Sequence, residues 1–494
     1  MSEAAPPEGL LRRATRELAK VAALQALGAA LAPVSAWALW RLLDERDFGA
    51  YAIGGFFIGV GSLVGEEGVV AALLLKKDAL TEEECDAAAT FLLAVGATSA
   101  AIFLACSGVI GRRYHLTPHE TNALRGMAPL FLAAPLRAIP TLRLQRALRL
   151  GRVARVDVTA SVVQQGTAVA LAWATRDVWA LIGGHLAGAV TQNLLVWRAA
   201  PGFTRLSLRW SVLRPVLAYG LRVQGLTAAA FLKDNVAPTY LGAVMGPAAV
   251  GLFDFGVKYA QLPVTVVNAF ARPQLSVYSR FAPGDPELLA AVTAITRFAL
   301  LVGLGMLVVL AVGAPAIVPA VYGARWLSSL PVVYGLVANM AGGLIAGPLF
   351  ALLQAQGHAG LAVRVFAVWT AGTWGLVLAL RGEGVGAVAW AHSTVTVATV
   401  FWLVRWAERH LGGALLEGYS RACAAALGAL GAAWGVRNVP ALAGLSKGAG
   451  AGALIALGVY VALLAALERG RFVRELRWLI ERIAEAARAR LAGK

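Results

Sequence analysis

Between residues 18 and 467 the chain is a succession of apolar runs about 20 residues long, each ended by charged residues or by Pro and Gly. A run of that length crosses the hydrocarbon core of a bilayer as one α-helix, and in lipid only helices or closed barrels satisfy every backbone N–H and C=O. Charged residues make up 14% of the 494-residue sequence, well below the roughly 25% of soluble domains. Too little charge is present to coat a water-facing surface, so the chain reads as an all-α integral membrane protein. The runs lie at 18–41, 48–74, 87–110, 122–142, 153–174, 178–198, 214–242, 247–270, 289–312, 327–355, 360–380, 384–404, 414–436 and 446–467. They predict about 14 transmembrane helices.

Lys and Arg are roughly three times as abundant on the flanks and loops that share a side with the N-terminus as on the other side, which places both termini in the cytoplasm. That bias accounts for most of the net charge of +17. No basic module interleaved with aromatics is present, so nucleic acid is not an expected partner. Cys85, Cys106 and Cys423 are far apart, with no histidine at ligand spacing, which argues against a disulfide framework, a metal site or a thiol redox motif. Residues 1–17 read as a cytoplasmic basic N-terminus rather than a signal peptide. In the tail, 468–494, Phe472, Leu476, Leu479, Ile483 and Ala487 fall at helical spacing among arginines, the pattern of a basic amphipathic helix on an anionic leaflet.

The sequence also repeats itself. Asp47-Phe48-Gly49-Ala50-Tyr51 opens the second span and Ala249-Val250-Gly251-Leu252-Phe253 the eighth, while His185 and Arg198 in the sixth match His392 and Arg405 in the twelfth, and Pro140 matches Pro348. The nearly constant offset predicts a duplicated six-helix unit: an N-terminal bundle at 18–198, a cytoplasmic linker at 199–213 and a C-terminal bundle at 214–404. A further hairpin follows at 414–467. An even number of spans per unit gives both halves the same orientation, related by a pseudo-two-fold axis along the membrane normal.

The Phe-Gly-x-Tyr opening of the second span, Gly68-x-x-Ala71-Ala72-Leu73, Lys77-Asp78-x-x-Thr81-Glu82-Glu83-x-x-Asp86, Leu144-Gln145-Arg146-Ala147-Leu148-x-x-Gly151-Arg152 and Val250-Gly251-Leu252-Phe253 together resemble the polysaccharide transporter, or oligosaccharide flippase (Wzx-like), family. That family belongs to the multidrug/oligosaccharidyl-lipid/polysaccharide (MOP) flippase superfamily. The resemblance implies a MATE-like MOP fold. It also implies a flippase that carries an undecaprenyl-pyrophosphate-linked oligosaccharide, such as an O-antigen, capsule or exopolysaccharide repeat unit, to the outer leaflet of a bacterial inner membrane by ion-coupled alternating access. Membrane lipids and a polysaccharide polymerase or export complex would be its partners.

A charge at the centre of a span costs at least about 2.5 to 3.5 kcal/mol, so each needs a partner or a watery cavity. Arg137, Arg222, Lys258, Arg364 and Lys233 are candidates for a cationic cavity that reads phosphates or acidic sugars, because arginine binds such oxygens bidentately. Burial in an ion pair or snorkelling to an interface is the alternative, and for Arg297 snorkelling is expected. Lys258 follows Asp254 by four residues, which predicts a local pair, whereas adjacent Lys233 and Asp234 should point about 100° apart. Glu66, Glu67 and Asp234 are candidates for coupling to a proton or sodium ion, and no other cofactor or metal is expected. Gln164, Gln165, Asn193, Gln224, Asn235, Asn268 and Asn339 could line a sugar path or bind neighbouring helices. Thr81 and Glu84 have capping-box spacing.

Three rival functions remain. A drug or cation exporter of the same superfamily would favour an acidic cavity, whereas basic residues outnumber acidic ones in these spans. A flippase for the lipid-linked peptidoglycan precursor shares the polyprenyl pyrophosphate. An integral-membrane enzyme is disfavoured, because no large extracytoplasmic loop or metal-binding acidic motif is present.

Overall fold

A computed structural model describes residues 33–63, 66–76, 78–200, 205–271, 274–282, 284–438 and 451–468. The expected basic N-terminus and the amphipathic tail beyond residue 468 lie outside the described residues. Every regular element among the described residues is helical. The chain divides into two compact units, Met1–Gly251 and Leu252–Lys494.

The first unit contains α1 (33–42), α2 (Glu45–Leu63), α3 (Glu66–Leu75), α4 (Glu82–Arg113), α5 (Pro118–Gly126), α6 (Leu130–Arg146), α7 (Leu150–Thr175), α8 (Trp179–Ala199) and α9 (Trp210–Asp234). A π-helical turn at Ala237–Leu241, which holds Pro238, leads into α10 (Gly242–Met245) and then α11 (Pro247–Ala271). The α7–α8 pair is close-packed because small residues face each other. A methyl built on Gly184 would lie 2.7 Å from the Gln164 carbonyl oxygen, and one on Gly188 2.7 Å from Gln164 Cβ. In α6, Pro140 has no N–H to give the carbonyl of Leu136, and Trp197 Nε1 donates to that oxygen instead at 2.8 Å.

Two of the sequence motifs meet at the start of α4. The expected capping box is formed, with Glu84 N–H donating to Thr81 Oγ1 at 3.2 Å and Thr81 N–H to Glu84 Oε2 at 3.0 Å. Its three glutamates each hold a different element: Glu82 pairs with Arg143 of α6 at 2.6 Å, Glu83 with Arg209 before α9 at 2.7 Å, and Glu84 with Lys76 after α3 at 2.6 Å. Arg146 donates to the carbonyls of Leu73 at 2.7 Å, Lys76 at 2.9 Å and Asp78 at 2.6 Å, closing the C-terminal end of α3. The two stretches are thus architectural. Arg146→Ala is expected to lower stability by about 1.5 to 3 kcal/mol, the worth of hydrogen bonds from a charged donor, and Arg146→Lys to restore little because one compact ammonium nitrogen cannot take the place of two guanidinium nitrogens that bond three separate carbonyls. Thermal unfolding of the purified variants checks this.

A second capping box, at Thr117 and Glu120, starts α5. The Arg46 guanidinium clasps Glu120 with two bonds of 3.0 Å. Burial pushes the Glu120 carboxyl up, but Arg46 and the Thr117 amide and hydroxyl outweigh it and hold it below the usual carboxylate range. The unfolded chain therefore binds this proton more tightly, so the stabilisation is complete above the unfolded pKa of about 4.3 and is lost as pH falls through the folded value. The thermal midpoint of wild type should drop below about pH 4, and that of Glu120→Gln less steeply. Parallel curves for the two proteins would refute this.

The second unit continues α11 and adds α12 (Gln274–Tyr278), α13 (Pro286–Ile317), a π-helical turn at Val318–Tyr322, a 3-10 turn at Ala324–Ser329, α14 (Leu330–Ala355), α15 (Ala359–Ala379), α16 (Val385–Leu411), α17 (Leu416–Asn438) and α18 (Ala451–Glu468). One apolar core joins α13 to α18, with Tyr460 Oη donating to the Leu301 carbonyl at 2.8 Å. Arg297 does not snorkel. It is 5% exposed on α13, its stem against α17 near Gly418, so its charge is housed inside the helix packing.

Outward faces are apolar. Trp173 on α7 is 75% exposed, and Val368 on α15 and Leu454 on α18 are similarly bare, as expected of surfaces covered by lipid. Glu82–Arg113, Pro286–Tyr322, Ala324–Ala355, Gly360–Ala379 and Val385–Leu411 are long and apolar enough to cross a membrane, and the bent pair Glu45–Leu63 and Gly68–Leu75 adds a sixth. By this measure the described residues do not reach the fourteen spans expected. Among those that fall short, α6 has 17 residues and carries Arg137, and α7 carries Gln164 and Gln165 along its length and Arg152, Arg155 and Asp157 near its start.

Candidate functional site

Within the first unit, α2, α6, α7 and α8 enclose a polar cavity of about 410 Å3. Each of the last three contributes residues at i, i+3, i+4 and i+7: Leu130, Ala133, Ala134 and Arg137 from α6, Asp157, Ala160, Ser161 and Gln164 from α7, and His185, Gly188, Ala189 and Gln192 from α8. That spacing is one face of a helix, so three faces converge. Ile58 and Ser62 of α2 complete the wall. The alanines and Gly188 leave the space, and the polar side chains point chemistry into it.

Gln192 Nε2 donates to Asp157 Oδ1 at 2.8 Å, and Tyr51 Oη and His185 Nδ1 are 2.9 Å apart. Arg137 makes no hydrogen bond or ion pair with any described residue. An arginine without a described partner has donors to offer to whatever enters, and the amides and hydroxyls around it both donate and accept.

Of the other expected cationic residues, Lys258 pairs with Asp254 at 2.6 Å in the second unit, as their spacing predicts. Lys233 also contacts its neighbour Asp234, contrary to the expected divergence. The pair sits at the end of α9, where the long lysine stem can wrap back. Arg364 is exposed on α15, with no hydrogen bond or ion pair to a described residue. The side chains of Arg222, Glu66, Glu67, Gln224 and Asn268 lie outside the described residues.

The expected sugar-path residues divide. Gln164 lines the cavity, whereas Gln165 is held by Ser161 at 2.7 Å and by Ser35. Asn193 donates across to the Ala133 carbonyl of α6 at 3.0 Å, Asn235 back to Phe231 at 2.9 Å, and Asn339 to Thr396 Oγ1 of α16 at 2.6 Å. Asn193 and Asn339 bind neighbouring helices, and Asn235 closes the end of its own. Asp157 is the residue the sequence reading missed: it falls just inside the fifth span, after a row of arginines, and looks interfacial. Its helical register with Ser161 and Gln164 is the signal that would have found it.

The ring pairs Tyr51–His185 and Phe253–His392, one in each unit, have centroids 6.0 and 5.8 Å apart. They occupy matching places in the repeat, but Phe253 lacks the hydroxyl. At the repeat offset, Ser161, Gln164 and Gln192 correspond to Val368, Ala371 and Thr399. The second half therefore does not reproduce the polar set.

An all-helical, lipid-facing chain built this way has the fold of the MOP transporters. Its structure matches the lipid II flippase MurJ in an inward closed conformation with a TM-score of 0.69, over 90% of this chain and 98% of that one, at 13% identity. It matches an inward-facing multidrug resistance MATE family transporter of the MOP superfamily at 0.55, over 76% and 94%, at 15% identity. These likenesses establish the fold. The chain belongs to the polysaccharide biosynthesis protein family, whose model matches residues 38–331. It is also 24% identical over 181 residues to the teichuronic acid biosynthesis protein TuaB of Bacillus subtilis (strain 168), a stretch that is 35% of this chain and 36% of that relative's length.

Proposed function

We propose that this protein is a flippase for a lipid-linked glycan, moving an undecaprenyl-pyrophosphate-linked repeat unit from the cytoplasmic to the outer leaflet of a bacterial inner membrane, with both termini in the cytoplasm. The observation that carries the reading is Arg137, a membrane-embedded cation without an ion pair among the described residues, in a cavity whose other polar lining groups are two amides, two hydroxyls, an imidazole and one carboxylate. A charge costly to place in lipid is kept without a described partner, which suits a cargo that brings anionic or hydroxyl oxygens. Membership of a polysaccharide biosynthesis family supports a glycan as that cargo. A proton or sodium gradient drives the cycle, with Glu66, Glu67 and Asp234 as coupling candidates, and a polymerase or export complex takes the product.

Deleting the gene in its host and measuring sugars on undecaprenyl pyrophosphate tests this. A defined lipid-linked oligosaccharide should accumulate and its surface polymer vanish, with wild type restoring both. Accumulation of the peptidoglycan precursor would instead identify that cargo, and raised drug sensitivity without any lipid-linked sugar would identify an exporter.

A further inference from the structure

We infer that the cavity of the first unit is a sugar subsite: it holds a glycan residue, neutral or bearing one carboxylate, and not the diphosphate of the carrier. This rests on the flippase reading above and deepens it.

Charge is the first argument. The described lining carries one cation, Arg137, and one carboxylate, Asp157. A diphosphate would bring at least two negative charges beside Asp157, and Arg137 can offset only one of the resulting charges. A sugar brings none, or one.

Hydrogen-bond chemistry is the second. Phosphate oxygens only accept. Asp157 as a carboxylate also only accepts, and Gln192 occupies one of its oxygens at 2.8 Å, leaving the remaining acceptor positions in want of donors. Sugar hydroxyls supply those donors while accepting from Arg137 and from the amides of Gln164 and Gln192. An arginine fork beside a carboxylate clasps a pair of neighbouring hydroxyls or a single uronate carboxylate.

The asymmetry of the repeat is the third. The places matching Ser161 and Gln164 hold Val368 and Ala371, so this hydrogen-bonding set belongs to the first bundle. An element that must recognise one sugar is needed once.

The test uses the full-length protein in lipid nanodiscs and ligand-observed saturation-transfer NMR. The probes are a glucuronate-containing disaccharide, a neutral disaccharide and inorganic pyrophosphate. Wild type should transfer saturation to at least one disaccharide, and equimolar pyrophosphate should not displace it. Arg137→Ala and Asp157→Ala should each weaken the sugar signal by about tenfold, the loss expected for a charged hydrogen bond. Asp157→Asn should let pyrophosphate compete, since it removes the repelling charge. Unchanged gel filtration confirms that each variant is folded, and Gln164→Leu, which keeps size and helix propensity, provides a second route should either alanine variant misfold. Displacement by pyrophosphate in wild type, a sugar signal equal in all variants, or no signal from either sugar would overturn the assignment. The flippase reading stands or falls separately, on whether lipid-linked glycan accumulates in the deletion strain.

Discussion

Arg137→Ala, produced at wild-type level, is expected to slow translocation by about 10- to 100-fold, since hydrogen bonds to a charged group are worth about 1.5 to 3 kcal/mol and each 1.4 kcal/mol is tenfold. The loss should come without loss of stability. Arg137 makes no hydrogen bond or ion pair with a described residue, so truncation breaks no described contact and removes a charge that costs about 2.5 to 3.5 kcal/mol to keep in a span. Arg137→Lys should recover part of the rate, keeping the charge but not the planar fork. Rates come from reconstituted vesicles or from complementation of the deletion strain, and stability from thermal unfolding. A variant that transports normally, or one that loses function only because it unfolds, would remove Arg137 from the binding role.

Gly49→Ala and Gly251→Ala should behave in the opposite way, destabilising the protein by more than about 1 to 3 kcal/mol, the usual cost of overpacking. A methyl on Gly49 would overlap the carbonyl of Pro247, and one on Gly251 the carbonyl of Glu45. Both obstacles are backbone, so no side chain can swing aside and the starts of α2 and α11 must part. Such close approach brings Cα–H groups against carbonyl oxygens, each contact worth perhaps about 0.5 to 1 kcal/mol, and that is lost as well. Gly55, also on α2, has nothing within 4 Å of a methyl placed on it. Gly55→Ala should therefore be neutral or stabilising, by up to about 1 kcal/mol from helix propensity. Equal thermal midpoints for Gly49→Ala and Gly55→Ala would show that the two helices are not held at this crossing.

These glycines also explain part of the sequence signal. Phe48-Gly49 and Val250-Gly251 stand out as matching motifs, and the structure shows each glycine lying against the backbone that precedes the other. The Lys77-to-Asp86 stretch and the Leu144-Gln145-Arg146 stretch similarly prove to be two sides of one junction, through Arg146, which holds the Asp78 carbonyl, and through Arg143 just before it, which pairs with Glu82. Motifs that carry the family resemblance are thus largely about holding helices together, and recognising them did not locate the cavity.

The sequence by itself determined that the chain crosses a membrane as helices, that paired motifs recur at a nearly constant spacing, and that a few charges such as Arg137 must have a reason to sit in a span. Those properties follow from local composition and period, which a bilayer reads directly. Only the tertiary structure decided which charges act together. Residues 137, 157 and 192 are far apart in the chain and meet because α6, α7 and α8 turn their faces to one another. Periodicity identifies a face on each helix but not the face it will meet. For the same reason Asn193 and Asn339, polar residues like Gln164 on paper, are spent on neighbouring helices. Arg297, expected at an interface, lies buried because α17 packs over it.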